Sequence, residues 1–198
     1  MTDSRSQFLT AATNCFADRG FYGTSIAAIV EDLPYTKQAL LHHFGSKEKL
    51  YAEILKGISE RLIEQFDEVA GENEQGDARV IEVFIRFYRN SIASPRESQL
   101  LMRELLDNTQ RADKAQQWYL RPFLETLTEL VMQHSSRAFA DRTLALTAIY
   151  QVLGAISYFA ISRTTLESMF GKNRYRQIEA AFEQELSGVI SDRLCKTP

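Results

Sequence analysis

Apolar residues recur along this chain at intervals of three and four, and strand-like alternation is nearly absent, so the pattern predicts an all-α protein of about nine helices. The first helix is expected to begin near Ser4, with Gln7 at capping-box spacing. Its inner face is Phe8, Ala11, Ala12, Cys15 and Phe16, and Gly20 is its natural stop. A second helix follows the Thr24-Ser25 cap and turns Ile26, Ile29, Val30 and Leu33 inward. A third follows Thr36 with Leu40 and Phe44 inward. Ser46 caps a fourth that runs from about residue 46 to about residue 70, and Glu48 suits the positive end of its dipole.

The polar, glycine-bearing stretch 71–77 interrupts the pattern. A fifth helix is expected over about 78–93, and Ser94, Pro95 and Glu97 signal a restart for a sixth that ends near Asp107. A seventh covers about 112–135, with Pro122 either kinking it or marking its true start. The eighth covers about 139–165 and the ninth about 173–194, the latter with Ile178, Ala181, Phe182, Val189 and Ile190 on one stripe. Thr143 to Ser162 is uncharged and as long as a membrane span. It also holds Gln151, Gly154, Ser157 and two threonines and has no second span beside it, so burial on every side is the preferred reading and no membrane is expected.

Charge narrows the partner classes. The net charge is −3, and residues 1–50 carry five Lys/Arg against five acids, so any nucleic-acid surface must be small. From Pro34 to Lys49 the balance shifts to three lysines and two histidines against Glu48 alone. Cys15 and Cys195 form no metal spacing and no disulfide framework, and the N-terminus lacks a leader pattern, so a cytoplasmic location is expected. No nucleophile–base set, phosphate loop or metal cluster is visible, and no enzyme, cofactor or metal is expected.

Two short helices joined by a tight turn, with a third starting at once, meet the geometric requirement for placing a helix in the DNA major groove. The reading helix needs polar or short side chains at its forward end and apolar ones behind. Thr36, Lys37, Gln38 and Ala39 form that forward set, with Leu41 and His42 further along. Gln38 suits an adenine edge, Lys37 guanine acceptors or phosphate, and Ala39 or Leu41 a thymine methyl. Thr24, Ser25, His43 and Lys47 stand at helix starts or just past the reading helix, where phosphate contacts fix register. Capping and packing compete for Thr24, Thr36, Ser46 and His43. On this reading Lys47→Ala weakens binding to all sequences and lowers the salt slope by about one, whereas Gln38→Ala relaxes base preference.

From Phe8 to Leu55 the chain resembles the N-terminal domain of TetR-type transcriptional regulators. The resemblance is carried by Phe16-Ala17-x-x-Gly20-Phe21, Gly23-Thr24-Ser25-x-x-x-Ile29 and Leu40-x-His42-His43-Phe44-x-Ser46-Lys47-Glu48-x-Leu50. It implies a three-helix helix-turn-helix DNA-binding domain over residues 1–48, connected by the fourth helix to a larger helical ligand-binding and dimerisation domain over 49–198. It also implies a homodimer through the eighth and ninth helices, a pseudo-palindromic operator of double-stranded DNA, and a small-molecule effector that releases it. A helical ligand-binding or interaction protein with impaired DNA binding is the alternative. The chain departs from the pattern where Pro34 replaces a turn glycine, Tyr35 a small apolar residue, and Leu41 a tyrosine.

In the sensing half, Phe84, Phe87, Tyr88, Met102, Trp118, Tyr119, Phe123, Tyr150 and Tyr158 are the candidate lining of an apolar pocket, with ordinary core as the competing reading. Arg89, Arg103 and Arg121 are candidates for a ligand carboxylate or for surface ion pairs. Val152, Ile156, Phe159, Ile178, Phe182 and Val189 are the candidate dimer interface, and Gly154, Ala155 and Ser157 would permit close helix approach.

Overall fold

The computed structural model describes residues 4–71, 75–107 and 119–196, with backbone alone for 67–71 and 107. Among these, ten α-helices follow one another: α1 (Ser4–Gly23), α2 (Ile26–Val30), α3 (Lys37–Phe44), α4 (Lys47–Gly71), α5 (Asp77–Ala93), α6 (Pro95–Asp107), α7 (Arg121–His134), α8 (Arg142–Ile161), α9 (Arg163–Phe170) and α10 (Lys172–Ile190). A π-helical turn, Ser191–Cys195, extends α10, with the Lys196 N–H donating to the Ser191 carbonyl at 2.9 Å. The helices divide into two compact units, Met1–Glu60 with Arg96–Arg121, and Arg61–Pro95 with Pro122–Pro198.

Local chemistry explains most boundaries. Gly20 takes φ 69° and ψ 175° and breaks the helical path of α1, a conformation that costs glycine little. Thr36 caps α3, whose other end is closed by Gly45 at φ 79°. Asp141 caps α8 by accepting from the Leu144 N–H at 2.9 Å. Pro122 stands at the second position of α7 and marks its start rather than a kink. The stretch expected to precede it, 112–118, lies outside the described residues.

One element departs from expectation. The helix expected over 139–165 stops at Ile161, and the chain enters a separate helix, α9, before Gly171 at φ 80° admits α10. At the break the Ser162 N–H donates to Phe159 three residues back at 3.0 Å, and its hydroxyl donates to the Tyr158 carbonyl at 2.6 Å. A serine bonding back to its own helix competes with the regular ladder.

The core of the second unit is built by α5, α7, α8 and α10 around Phe84, Tyr88, Leu127, Val131, Ile149, Val152, Ile156 and Ile190. The outer end of α5 is tied to the segment after α7: the Ser136 N–H and hydroxyl each donate to the Asp77 carboxylate at 2.7 Å. α8 is long and apolar enough to cross a membrane by length and composition. Its inward stripe, Ala145, Ala148, Ile149, Val152, Ile156, Phe159 and Ala160, is buried in the unit's own core.

Candidate nucleic-acid interface

α3 presents a polar front and an apolar rear. Leu40 and Phe44 are buried behind it, whereas Thr36, Lys37, Gln38, Leu41 and His42 are exposed and Ala39 is half-buried. Thr36 holds the forward end by accepting from the Ala39 N–H at 3.2 Å, so its hydroxyl serves as a cap as well as a surface group. Leu41 keeps 38 % of its surface exposed, a large apolar side chain on an otherwise polar face. His43 is exposed too, but its ring lies 5.6 Å from that of Phe8 and its Nε2 is 3.2 Å from the Ser4 hydroxyl.

The end of α1 is a hub for backbone carbonyls. Thr24 is buried, and its hydroxyl donates to the carbonyls of Gly20 at 2.8 Å and Cys15 at 3.0 Å. That removes the Thr24 side chain from the phosphate set, because its hydroxyl faces inward to close α1. Ser25 is the true cap of α2, accepting from the Ala28 N–H at 3.1 Å, and it is exposed. Lys47 donates from Nζ to the Phe21 and Thr24 carbonyls, both at 2.9 Å, and its ammonium sits 4.3 Å from the Phe21 ring centroid. Its charge is therefore committed to holding the α1–α2 junction.

Three cations, none of them assigned this role from the sequence, tie this unit together. Arg103 on α6 donates to the carbonyls of Ala17 at 2.6 Å and Asp18 at 2.7 Å, while Arg96 pairs with the Asp18 carboxylate. Arg5 pairs with Glu53 and lies 5.4 Å from the Phe44 ring centroid. Their partners lie 48 to 86 residues away, which no local spacing reports. Ser46 accepts from the Lys49 N–H at 3.2 Å, and the backbone N–H of Glu48 together with the Ser46 hydroxyl holds the Glu48 carboxyl below its ordinary value.

A family model for bacterial regulatory proteins of the tetR family matches residues 8–54. A second, the C-terminal domain of the HTH-type transcriptional dual regulator CecR, matches residues 78–189, more than half of the chain. The chain belongs to the TetR family. Among TetR-family relatives, the HTH-type transcriptional repressor AcnR of Corynebacterium efficiens is 33 % identical over 66 residues, 33 % of this chain and 35 % of its own. The repressor KstR2 of Rhodococcus jostii is 34 % identical over 65 residues, 33 % of this chain and 32 % of its own. The chain thus spans about a third of the length of the curated relatives it matches. In fold it is similar to the fatty acid degradation regulator FadR of Bacillus halodurans, at a TM-score of 0.71 and 14 % identity over 95 % of this chain and 97 % of that one. FadR of Bacillus subtilis, solved with stearoyl-CoA, gives a TM-score of 0.65 at 16 % identity over 93 % and 96 %.

The C-terminal residues singled out from sequence fall into separate places in this TetR-family chain. Phe84, Phe87, Tyr88 and Phe123 come together, but as packed core of the second unit, and burial pushes the Tyr88 hydroxyl well above its ordinary pKa. Tyr150 and Tyr158 are 46 % and 71 % exposed, because the inward stripe of α8 turns them outward. Tyr119 is exposed and Met102 half-buried, both in the first unit, and Trp118 lies outside the described residues. Arg89 pairs with Glu183 at 2.8 Å. Of the residues expected at an interface, Val152, Ile156 and Phe159 are buried inside the unit, Ile178 and Phe182 are half-buried against its core, and Val189 is exposed. The outward stripe of α8 is instead Leu144, Thr147, Gln151, Gly154, Ala155 and Tyr158, and that of α10 includes Gln177, Ala181, Gln184 and Gly188.

Proposed function

We propose that this protein is a ligand-responsive, DNA-binding transcriptional regulator, acting as a repressor that a small molecule releases from a pseudo-palindromic operator. The observation that carries the reading is the exposed front of α3, with Thr36, Lys37, Gln38, Leu41 and His42 free to meet base edges while Leu40 and Phe44 seat its rear. Lys37, Gln38, Leu41 and His42 read the bases; Ser25 and His43 stand where phosphates fix register. Relatives named as repressors, AcnR and KstR2, support this role.

The working form is a homodimer, since a two-fold operator calls for two heads. The outward residues Leu144, Thr147, Gln151, Gly154, Ala155 and Tyr158 of α8 and Gln177, Ala181, Gln184 and Gly188 of α10 are uncharged, and a Cβ added at Gly154 or Gly188 would meet nothing within 4 Å. Surfaces with those properties suit close helix approach by a second copy. The effector binds in the C-terminal helices, and FadR of Bacillus subtilis, similar in fold and solved in complex with stearoyl-CoA, supports regulation by a small molecule. Release requires the effector to bind the non-DNA state better than the DNA state.

Titration of the full-length protein against duplexes from its own upstream region, at several salt concentrations, tests the reading. Specific binding that weakens linearly in log salt is expected. Absence of salt-dependent binding to any duplex overturns it.

A further inference from the structure

The forward end of α3 is short of anchors. Thr36, Lys37 and Gln38 are exposed and Ala39 is only half-buried, so the first buried residue of the helix is Leu40. The turn before it does not supply a rigid backbone tie either. Pro34 has no N–H to give, and the Leu33 N–H closes back on Val30 at 3.1 Å. What does tie this end is a ring. Tyr35, next to the Thr36 cap, is half-buried with its ring centroid 5.0 Å from that of Phe8 at an interplanar angle of 55°.

Phe8 is fully buried, and the same ring lies 5.6 Å from His43 and 6.3 Å from Phe44. One side chain of α1 therefore meets α3 at both ends, through Tyr35 ahead of the first turn and through His43 and Phe44 in the last. Tilt at this helix has large consequences. Eight residues make a helix about 12 Å long. A tilt of about 10° would carry one end some ~2 Å, well beyond the ~0.5 Å that a hydrogen-bonded readout tolerates.

We propose that Tyr35 is a positioning residue: by docking on Phe8 it sets the tilt of α3 and thereby the duplex sequence the head prefers. The inference rests on the DNA-binding reading above. Tyr35 touches no base; it acts through Lys37, Gln38 and Leu41, whose reach depends on where the forward end of α3 sits. The ring, rather than the hydroxyl, supplies the contact.

The test selects binders from a random-sequence duplex pool with the full-length wild type and with Tyr35→Phe, Tyr35→Val and Tyr35→Leu. The wild type and Tyr35→Phe should select the same sequence. Tyr35→Val and Tyr35→Leu, folded by circular dichroism, should select a different one or lose about tenfold in discrimination, the worth of one well-made base contact. Affinity for unselected duplex and its salt slope should change little, because Ser25 lies outside α3 and His43 keeps its own contact with Phe8 at the opposite end of the helix. Folded Val and Leu variants that keep the wild-type sequence and discrimination overturn the proposal. So does a Tyr35→Phe variant that shifts as far as they do, or unfolding of both Val and Leu variants, which would make the ring a requirement of folding instead. A wild type that binds no duplex overturns the underlying function, a result distinct from these.

Discussion

The ammonium of Lys47, the first residue of α4, donates to the carbonyl oxygen of Thr24 at 2.9 Å, bridging the start of one helix to the cap region of another. The same nitrogen donates to Phe21 at 2.9 Å, so one cation satisfies two carbonyls beside the break at Gly20. Sequence position alone makes this lysine a phosphate contact; its geometry makes it an internal staple.

Lys47→Met should therefore act on stability first. Two charge-assisted hydrogen bonds are lost at a half-buried site, which costs about 2 kcal/mol. Chemical denaturation of the full chain reads this as a lower midpoint at unchanged slope. DNA affinity should fall only as far as the head loosens, with the salt slope unchanged. A slope reduced by about one, with stability intact, would return Lys47 to the phosphates.

Gln38→Ala tests the front of α3 without touching its seating. Gln38 is exposed, and the helix is held by Thr36, Leu40 and Phe44. The variant should keep its thermal midpoint and salt slope and lose about 1–3 kcal/mol of discrimination at one base pair, the worth of a bidentate contact. Competition between duplexes differing at single positions measures it; equal losses at every position would exclude a base-reading role.

The head was legible because its boundaries are made by local chemistry. Gly20, Ser25, Thr36, Gly45 and Ser46 each act on backbone within a few residues of themselves. Two contacts that the pattern does not carry act at long range, Arg103 on α1 and Tyr35 on Phe8, whereas Thr24 turns inward onto carbonyls only four and nine residues back, where a threonine reads equally well as a cap. α8 hid its orientation for a different reason. A helix without charges from Thr143 to Ser162 has no polar face to mark its outside, so Val152 and Ile156 looked as suited to an interface as Leu144 and Tyr158. Its end at Ser162 was equally silent, since a serine bonded to its own helix leaves no glycine or proline to read.

Gly154 offers a clean test of the dimer. Gly154 is exposed, and a Cβ added there meets nothing within 4 Å. Gly154→Leu should make the subunit slightly more stable, because replacing glycine in a helix interior gains up to about 1 kcal/mol. The same side chain would hold two α8 helices apart. Sedimentation equilibrium should show the dimer weakened about tenfold or more, equivalent to at least about 1.4 kcal/mol. Unchanged association would remove the outward stripe of α8 from the interface.

Acid should loosen the second unit at a definable place. The Ser136 hydroxyl and N–H both donate to Asp77, and these bonds hold its carboxyl below the ordinary aspartate value. A folded pKa lowered in this way stabilises the protein fully above about pH 4, where the unfolded carboxyl is already ionised, and the contribution disappears as pH falls through the lower folded value. Asp77→Asn removes the ionisable group, so the wild type should exceed the variant in urea midpoint at pH 7. The gap should shrink toward pH 3, once protonation empties the wild-type interaction as well. Measuring both proteins at both pH values separates Asp77 from every other carboxylate, because the others titrate alike in the two chains. A gap that stays constant between pH 7 and pH 3 would show that Asp77 contributes through shape and not through its charge.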